Sequence, residues 1–103
     1  MREKGIHIAR LKRKTEPEEP ATLFDVAVGQ TVWVTAISVE DPNMRRRLQD
    51  LGIICGTRVL CKQKAPSGNP KSYLVRGATV AIRRDVSELI SVTTTPPEYA
   101  EAD

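Results

Sequence analysis

Few residues in this 103-residue chain have the chemistry for catalysis or metal binding. His7 is the single histidine, and Cys55 and Cys61 are the only cysteines. A thiol nucleophile needs a base within hydrogen-bond reach, and His7 stands in a charged N-terminal segment with no sequence sign of order. Zinc or iron would need three or four ligands at motif spacing, which two cysteines and one histidine do not supply. The run "SGNPKS" lacks the GxxxxGK pattern of a phosphate loop. The sequence therefore predicts no enzyme, no cofactor and no metal centre. Both cysteines, outside any CxxC spacing, read as reduced, buried small residues.

The strongest charge cluster is the triple arginine in "DPNMRRRLQDLGIICG", residues 41–56. Asp41 followed by Pro42 marks a helix start: the carboxylate accepts free amide hydrogens, and proline costs nothing where no donor is needed. Gly52 is the matching stop. Within that frame Met44, Leu48 and Leu51 fall at i, i+4 and i+7, an apolar stripe suited to cover the open end of a small barrel. At about 100° per residue the arginines fan out. Arg46 points away from the stripe, Arg45 lies to one side, and the Arg47 stem lies along the core edge. Any Arg46–Asp50 pairing is in the weaker orientation and worth a few tenths of a kcal/mol. These side chains form a solvated helix face, with Arg45 and Arg46 as a candidate partner patch.

The elements that must position this helix are β-rich. "VGQTVWVTAISV" puts Val32 and Val34 on one face, and a bulge near Thr35–Ala36 restores Ile37 to it. "TRVLCKQKA" pairs Val59 with Cys61, "KSYLVRG" pairs Tyr73 with Val75, and "APSGNP" is the hairpin loop between them. "ATVAIR" aligns Val80 and Ile82. "DVSELISV" offers Asp85 as cap for one helical turn before Ile90 and Val92. Five short strands with one short α-helix predict a mainly β fold, a small SH3-like barrel whose closure removes exposed edges.

Domain organisation follows composition. Residues 1–22 form a flexible charged arm with six Lys or Arg in the first fourteen positions, 23–92 the barrel domain, and 93–103 a flexible acidic tail. A net charge of +3, with 40% hydrophobic and 28% charged residues, fits a soluble globular domain and names no nucleic-acid partner. With no apolar run near the length that spans a bilayer and no secretory signal, a cytoplasmic location is the expectation. The basic arm is the one part able to reach an anionic membrane surface, against the plainer reading of a solubilising tail.

The segments "LFDVAVGQTVWVTAI", "RRRLQDLGIICGTRV", "KAPSGNPKSYLVRGATVAIRRD" and "ISV", in this order, resemble the FeoA family over about Leu23–Val92. One departure is Cys55, where the family usually has proline, which leaves that turn less pre-set by about 0.5 to 1 kcal/mol. The resemblance implies an SH3-like barrel with a short helix. It implies an accessory or regulatory role in ferrous iron uptake, through contact with the FeoB-type permease and its GTPase region at the inner membrane face. Candidate contacts are Arg45 and Arg46 on the helix, outward-facing Leu60 and Leu74, and the loop residues Pro66, Gly68 and Pro70.

The alternative is a nucleic-acid-binding small barrel using Arg45, Arg46, Lys62, Lys64, Lys71 and Arg76. Barrels that hold single strands also need stacking aromatics among the basic residues. Only Tyr73 lies near them, and its parity points inward. The SH3-like domain of iron-dependent repressors shares the fold pattern, but 22 upstream residues cannot make a DNA-binding domain.

Overall fold

The period-two runs become five strands. In the computed structural model, which describes residues 19–100, β1 (Thr31–Ile37), β2 (Arg58–Lys64), β3 (Lys71–Val75), β4 (Ala78–Ile82) and β5 (Ile90–Thr93) form one antiparallel sheet in the order β4-β3-β2-β1-β5. Helix α1 (Pro42–Asp50) connects β1 to β2, and the single turn α2 (Arg84–Ser87) connects β4 to β5. The expectations for residues 1–18, His7 among them, and for 101–103 lie outside the described residues.

Alternation places Val32, Val34, Val59, Cys61, Tyr73, Val75, Ile82, Ile90 and Val92 in one buried core. Each such aliphatic side chain contributes about 1.5–3 kcal/mol relative to exposure. The bulge falls where the alternation breaks, between Val34 and Ala36, and it brings Ile37 back against the core. A second irregularity, between Cys61 and Gln63 on β2, has no counterpart in the sequence reading.

Closure is the first correction. The sheet does not close by hydrogen bonds, because β4 and β5 remain its two edges. The β5 edge is covered by residues 19–22, which the sequence reading put in the arm. Thr22 bridges Ser91, the Ala21 carbonyl accepts from the Val92 amide at 3.1 Å, and the Thr93 hydroxyl donates to Glu19 at 3.2 Å. The chain then makes a 3-10 turn, Leu23–Asp25, which buries Leu23 and leads to buried Val26. Asp25 caps that turn by accepting from the Thr22 amide and hydroxyl.

Helix α1 is built as its sequence predicts. The Asp41 carboxylate accepts from the Asn43 amide at 3.0 Å, with Pro42 at the first helical position. At the other end the Gly52 amide bonds the Gln49 carbonyl at 2.9 Å and the Ile53 amide bonds Leu48 at 2.8 Å, the double closure that a left-handed residue permits. Gly52 supplies it with φ of +90°. Ile53 and Leu48 are both buried, so the same closure locks an apolar contact beneath the helix end.

Two expectations are revised. Asp85 lies inside the first turn of α2 rather than at its cap, which is Arg83 and makes no side-chain capping bond. The free Arg84 amide is instead satisfied from the β2–β3 loop, by the Asn69 side-chain oxygen at 3.0 Å. Cys55 is exposed, not buried, with its thiol 3.4 Å from the Thr35 carbonyl, because the turn after α1 carries it to the surface.

Candidate functional site

The apolar stripe of α1 covers the barrel end incompletely. Leu48 is buried, Met44 is half-buried, and Leu51 is 36% exposed. Opposite them runs the sheet edge β4. Between the two lies a cleft of about 520 Å³, lined by Met44, Arg47, Leu48 and Leu51 from α1 and its cap, residues 79–83 of β4 and its end, and Asp85 and Val86 of α2. Its floor is apolar, formed by Leu48, Ile82, Val80 and Val86, which are wholly or half buried. Two arginines, Arg47 and Arg83, stand at its rim. Asp85, within 3.9 Å of Arg83, is the one carboxylate there. Both members of that pair are well exposed, so it is screened by solvent and contributes little.

The cleft is thus an apolar trough bordered by two cations and by the edge strand β4. A strand edge offers main-chain donors and acceptors to an incoming extended segment.

The residues singled out from the sequence do not gather here. Arg45 lies on another side of α1, where its guanidinium donates to the Val39 carbonyl at 2.9 Å and so ties the helix to the chain entering it. There it borders a small hollow with Ile37, Gln49, Ile54 and Cys55. Arg46 is exposed and makes no ion pair with Asp50 among the described residues. Leu60 and Leu74 face each other as direct β2–β3 partners on the outer face of the sheet, both half-buried. In the loop Pro66 and Pro70 are exposed, Gly68 is half-buried, and the ends are closed by a 3.0 Å bond from the Ala65 amide to the Pro70 carbonyl. These are three separate surfaces.

The cleft residues on β4 escaped the sequence reading. The signal available was the stripe itself: Leu51 falls at its margin beside Gly52, where the helix ends before the stripe is fully covered.

Basic residues are partly committed to structure. Lys71 donates to the Phe24 and Val26 carbonyls, the latter at 2.9 Å, and its ammonium sits 4.8 Å from the centre of the Phe24 ring. The Arg84 guanidinium lies at the same distance from that ring and pairs with Glu88 at 2.7 Å, a hydrogen bond that raises its pKa. Tyr73 is fully buried and donates its hydroxyl to the Leu23 carbonyl. It offers no face for base stacking. Burial pushes the Cys61 thiol up, against a smaller opposing effect of Lys71 and Lys64. Among the described residues no three His, Cys, Asp or Glu side chains stand together as a metal-holding group.

A five-stranded antiparallel sheet, curled on one core and capped by a short helix, defines a small mainly β fold of the SH3-like class. The model of the FeoA domain matches residues 21–94, and the chain belongs to that family, whose members are accessory proteins of ferrous iron transport. The chain is similar to the FeoA protein of Chlorobium tepidum at 32% identity and TM-score 0.66, covering 70% of this chain and 68% of that one. It is similar to a FeoA-like protein of Clostridium acetobutylicum at 31% identity and TM-score 0.63, with 73% and 86% covered. In fold it is similar to Stenotrophomonas maltophilia FeoA, at 24% identity and TM-score 0.64, with 75% and 94% covered. That protein was solved with zinc and is described as a prokaryotic SH3 domain protein and a candidate activating factor of ferrous iron transport. Among curated proteins there is no match. No helix among the described residues is long and apolar enough to cross a membrane.

Proposed function

We propose that this protein is an accessory, regulatory partner in ferrous iron uptake that works by protein–protein contact, its partner being the cytoplasmic GTPase region of a FeoB-type permease. The observation that carries this reading is the cleft between α1 and β4. It is an apolar trough beside an unpaired strand edge, within a fold whose family serves ferrous iron transport. An extended or helical segment of the partner lays its apolar side chains on Leu48, Val80 and Ile82, while Arg47 and Arg83 meet its polar flank. The protein contributes a surface, and any nucleotide belongs to the partner.

The test is a pull-down of the permease's cytoplasmic domain by the full-length protein at low and moderate salt. Retention that survives moderate salt supports an interface led by apolar burial. No retention of that domain, with nucleic acid held instead in a salt-sensitive way, would replace the proposal by the nucleic-acid reading.

A further inference from the structure

The chain does not end its ordered path at β5. After Thr93 it runs on through Pro96 and Pro97 into a turn, closed by the Ala100 amide bonding the Pro97 carbonyl at 2.9 Å. Tyr99 then comes to rest on Gly56, the turn residue between α1 and β2. A Cβ on residue 56 would lie 2.7 Å from the Tyr99 carbonyl oxygen and 3.1 Å from its ring. Gly56 is itself buried, although Tyr99 over it is 58% exposed. Two requirements therefore meet at position 56: a φ of +92°, and a bare backbone face on which another chain segment lies at van der Waals distance.

The seat is rigid. The Gly56 amide donates to the Val34 carbonyl at 2.7 Å and the Val34 amide to the Thr57 carbonyl at 3.0 Å, while the buried Thr57 hydroxyl bonds the Gly52 carbonyl at 2.8 Å. The segment on it is different in kind. Pro96 and Pro97 pre-set an extended backbone that loses little entropy on docking. Pro97 and Ala100 are half-buried, while Pro96, Glu98 and Tyr99 are exposed, so few groups hold the segment down. The family match ends at residue 94, before this segment begins.

We propose that the Gly56 turn is a binding site for a Pro-Pro-x-Tyr peptide that ends in a turn, and that residues 96–99 of the same chain occupy it as a detachable self-ligand. Tethering makes weak contact sufficient. A short linker gives an effective concentration of about 1 mM, so an intrinsic dissociation constant of about 100 μM leaves the seat closed about nine-tenths of the time. Opening uncovers Gly56 beside exposed Ile54 and Cys55.

The test uses the full chain, wild type and Tyr99→Ala, with a synthetic peptide of residues 94–103 as the added ligand. The readout is the Gly56 amide resonance. Tyr99→Ala should shift that resonance, and the peptide should bind this variant saturably and return the resonance toward its wild-type position. Wild type, its seat already taken, should bind the peptide about tenfold more weakly, and a peptide with Ala at the tyrosine should bind neither. Pro97→Gly, which loosens the same segment without removing the ring, should move the Gly56 resonance in the same direction. Superimposable Gly56 resonances in wild type and both variants, or equal peptide binding by wild type and Tyr99→Ala, would overturn the assignment.

Discussion

Tyr73 on β3 holds Leu23, fifty residues earlier in the chain, through a 3.1 Å hydrogen bond from its hydroxyl to the leucine carbonyl. The bond is buried, and Lys71, two residues before Tyr73 on β3, donates to the next carbonyls along the same turn. One strand thus ties down the 3-10 turn, adding a second bond to the Leu23 carbonyl, which also accepts from the Val26 amide at 3.2 Å.

Tyr73→Phe should lower stability by about 1 kcal/mol and also change its pH dependence. Burial, then the neighbouring Cys61, raises the folded-state pKa of the phenol above its ordinary 10.0. The unfolded chain therefore releases this proton first, and stability falls as pH rises above about 10. Cys61 adds a loss of the same sign above 9.0. Urea melts between pH 7 and 11 should show a shallower alkaline decline for Tyr73→Phe, the remainder belonging to Cys61. An unchanged decline would show that the phenol does not titrate differently on folding.

Leu48→Ala should cost roughly 2–4 kcal/mol, because Leu48 is 2% exposed and joins α1 to the core through Ile53 and the sheet. Arg46→Ala, on the solvated face, should leave the thermal melt where it is. The reverse order would mean that the helix is rotated from the position described.

Asn69→Ala should destabilise by about 1 kcal/mol. Its side chain caps the Arg84 amide from another loop, doing at a distance what an N-cap residue does locally. Asp85→Ala, inside the turn, should cost less. Thermal melts of the two variants compare them directly, and a larger loss for Asp85→Ala would restore it as the cap.

What the sequence made legible is what local rules govern. Asp41-Pro42 and Gly52 delimit α1, and period-two alternation identifies the inward set from Val32 to Val92, with the bulge placed by its one break. The unread features are those in which distant segments meet. No local pattern announces that Asn69 will cap α2, that Thr22 will bridge Ser91, or that Tyr99 will lie on Gly56. The candidate contacts were dispersed for the same reason. Exposure can be read from parity, so Arg45, Leu60 and the Pro66–Pro70 loop qualified one by one, whereas a cleft exists only through the spacing of α1 from β4.

The central claim is that this cleft is the docking surface, and the most direct measurement is an equilibrium titration of the permease's cytoplasmic domain with four proteins. These are wild type, Ala81→Arg, Leu51→Glu and Arg45→Glu/Arg46→Glu, each checked for an unchanged melt. Ala81 and Leu51 are exposed lining residues, so both substitutions block the trough without emptying the core. The account predicts at least tenfold weaker binding for each of these two, and a smaller loss for the double arginine variant, whose side chains lie outside the cleft. Wild-type affinity in both cleft variants, with binding abolished in the arginine variant, would contradict it and move the interface to the opposite side of α1.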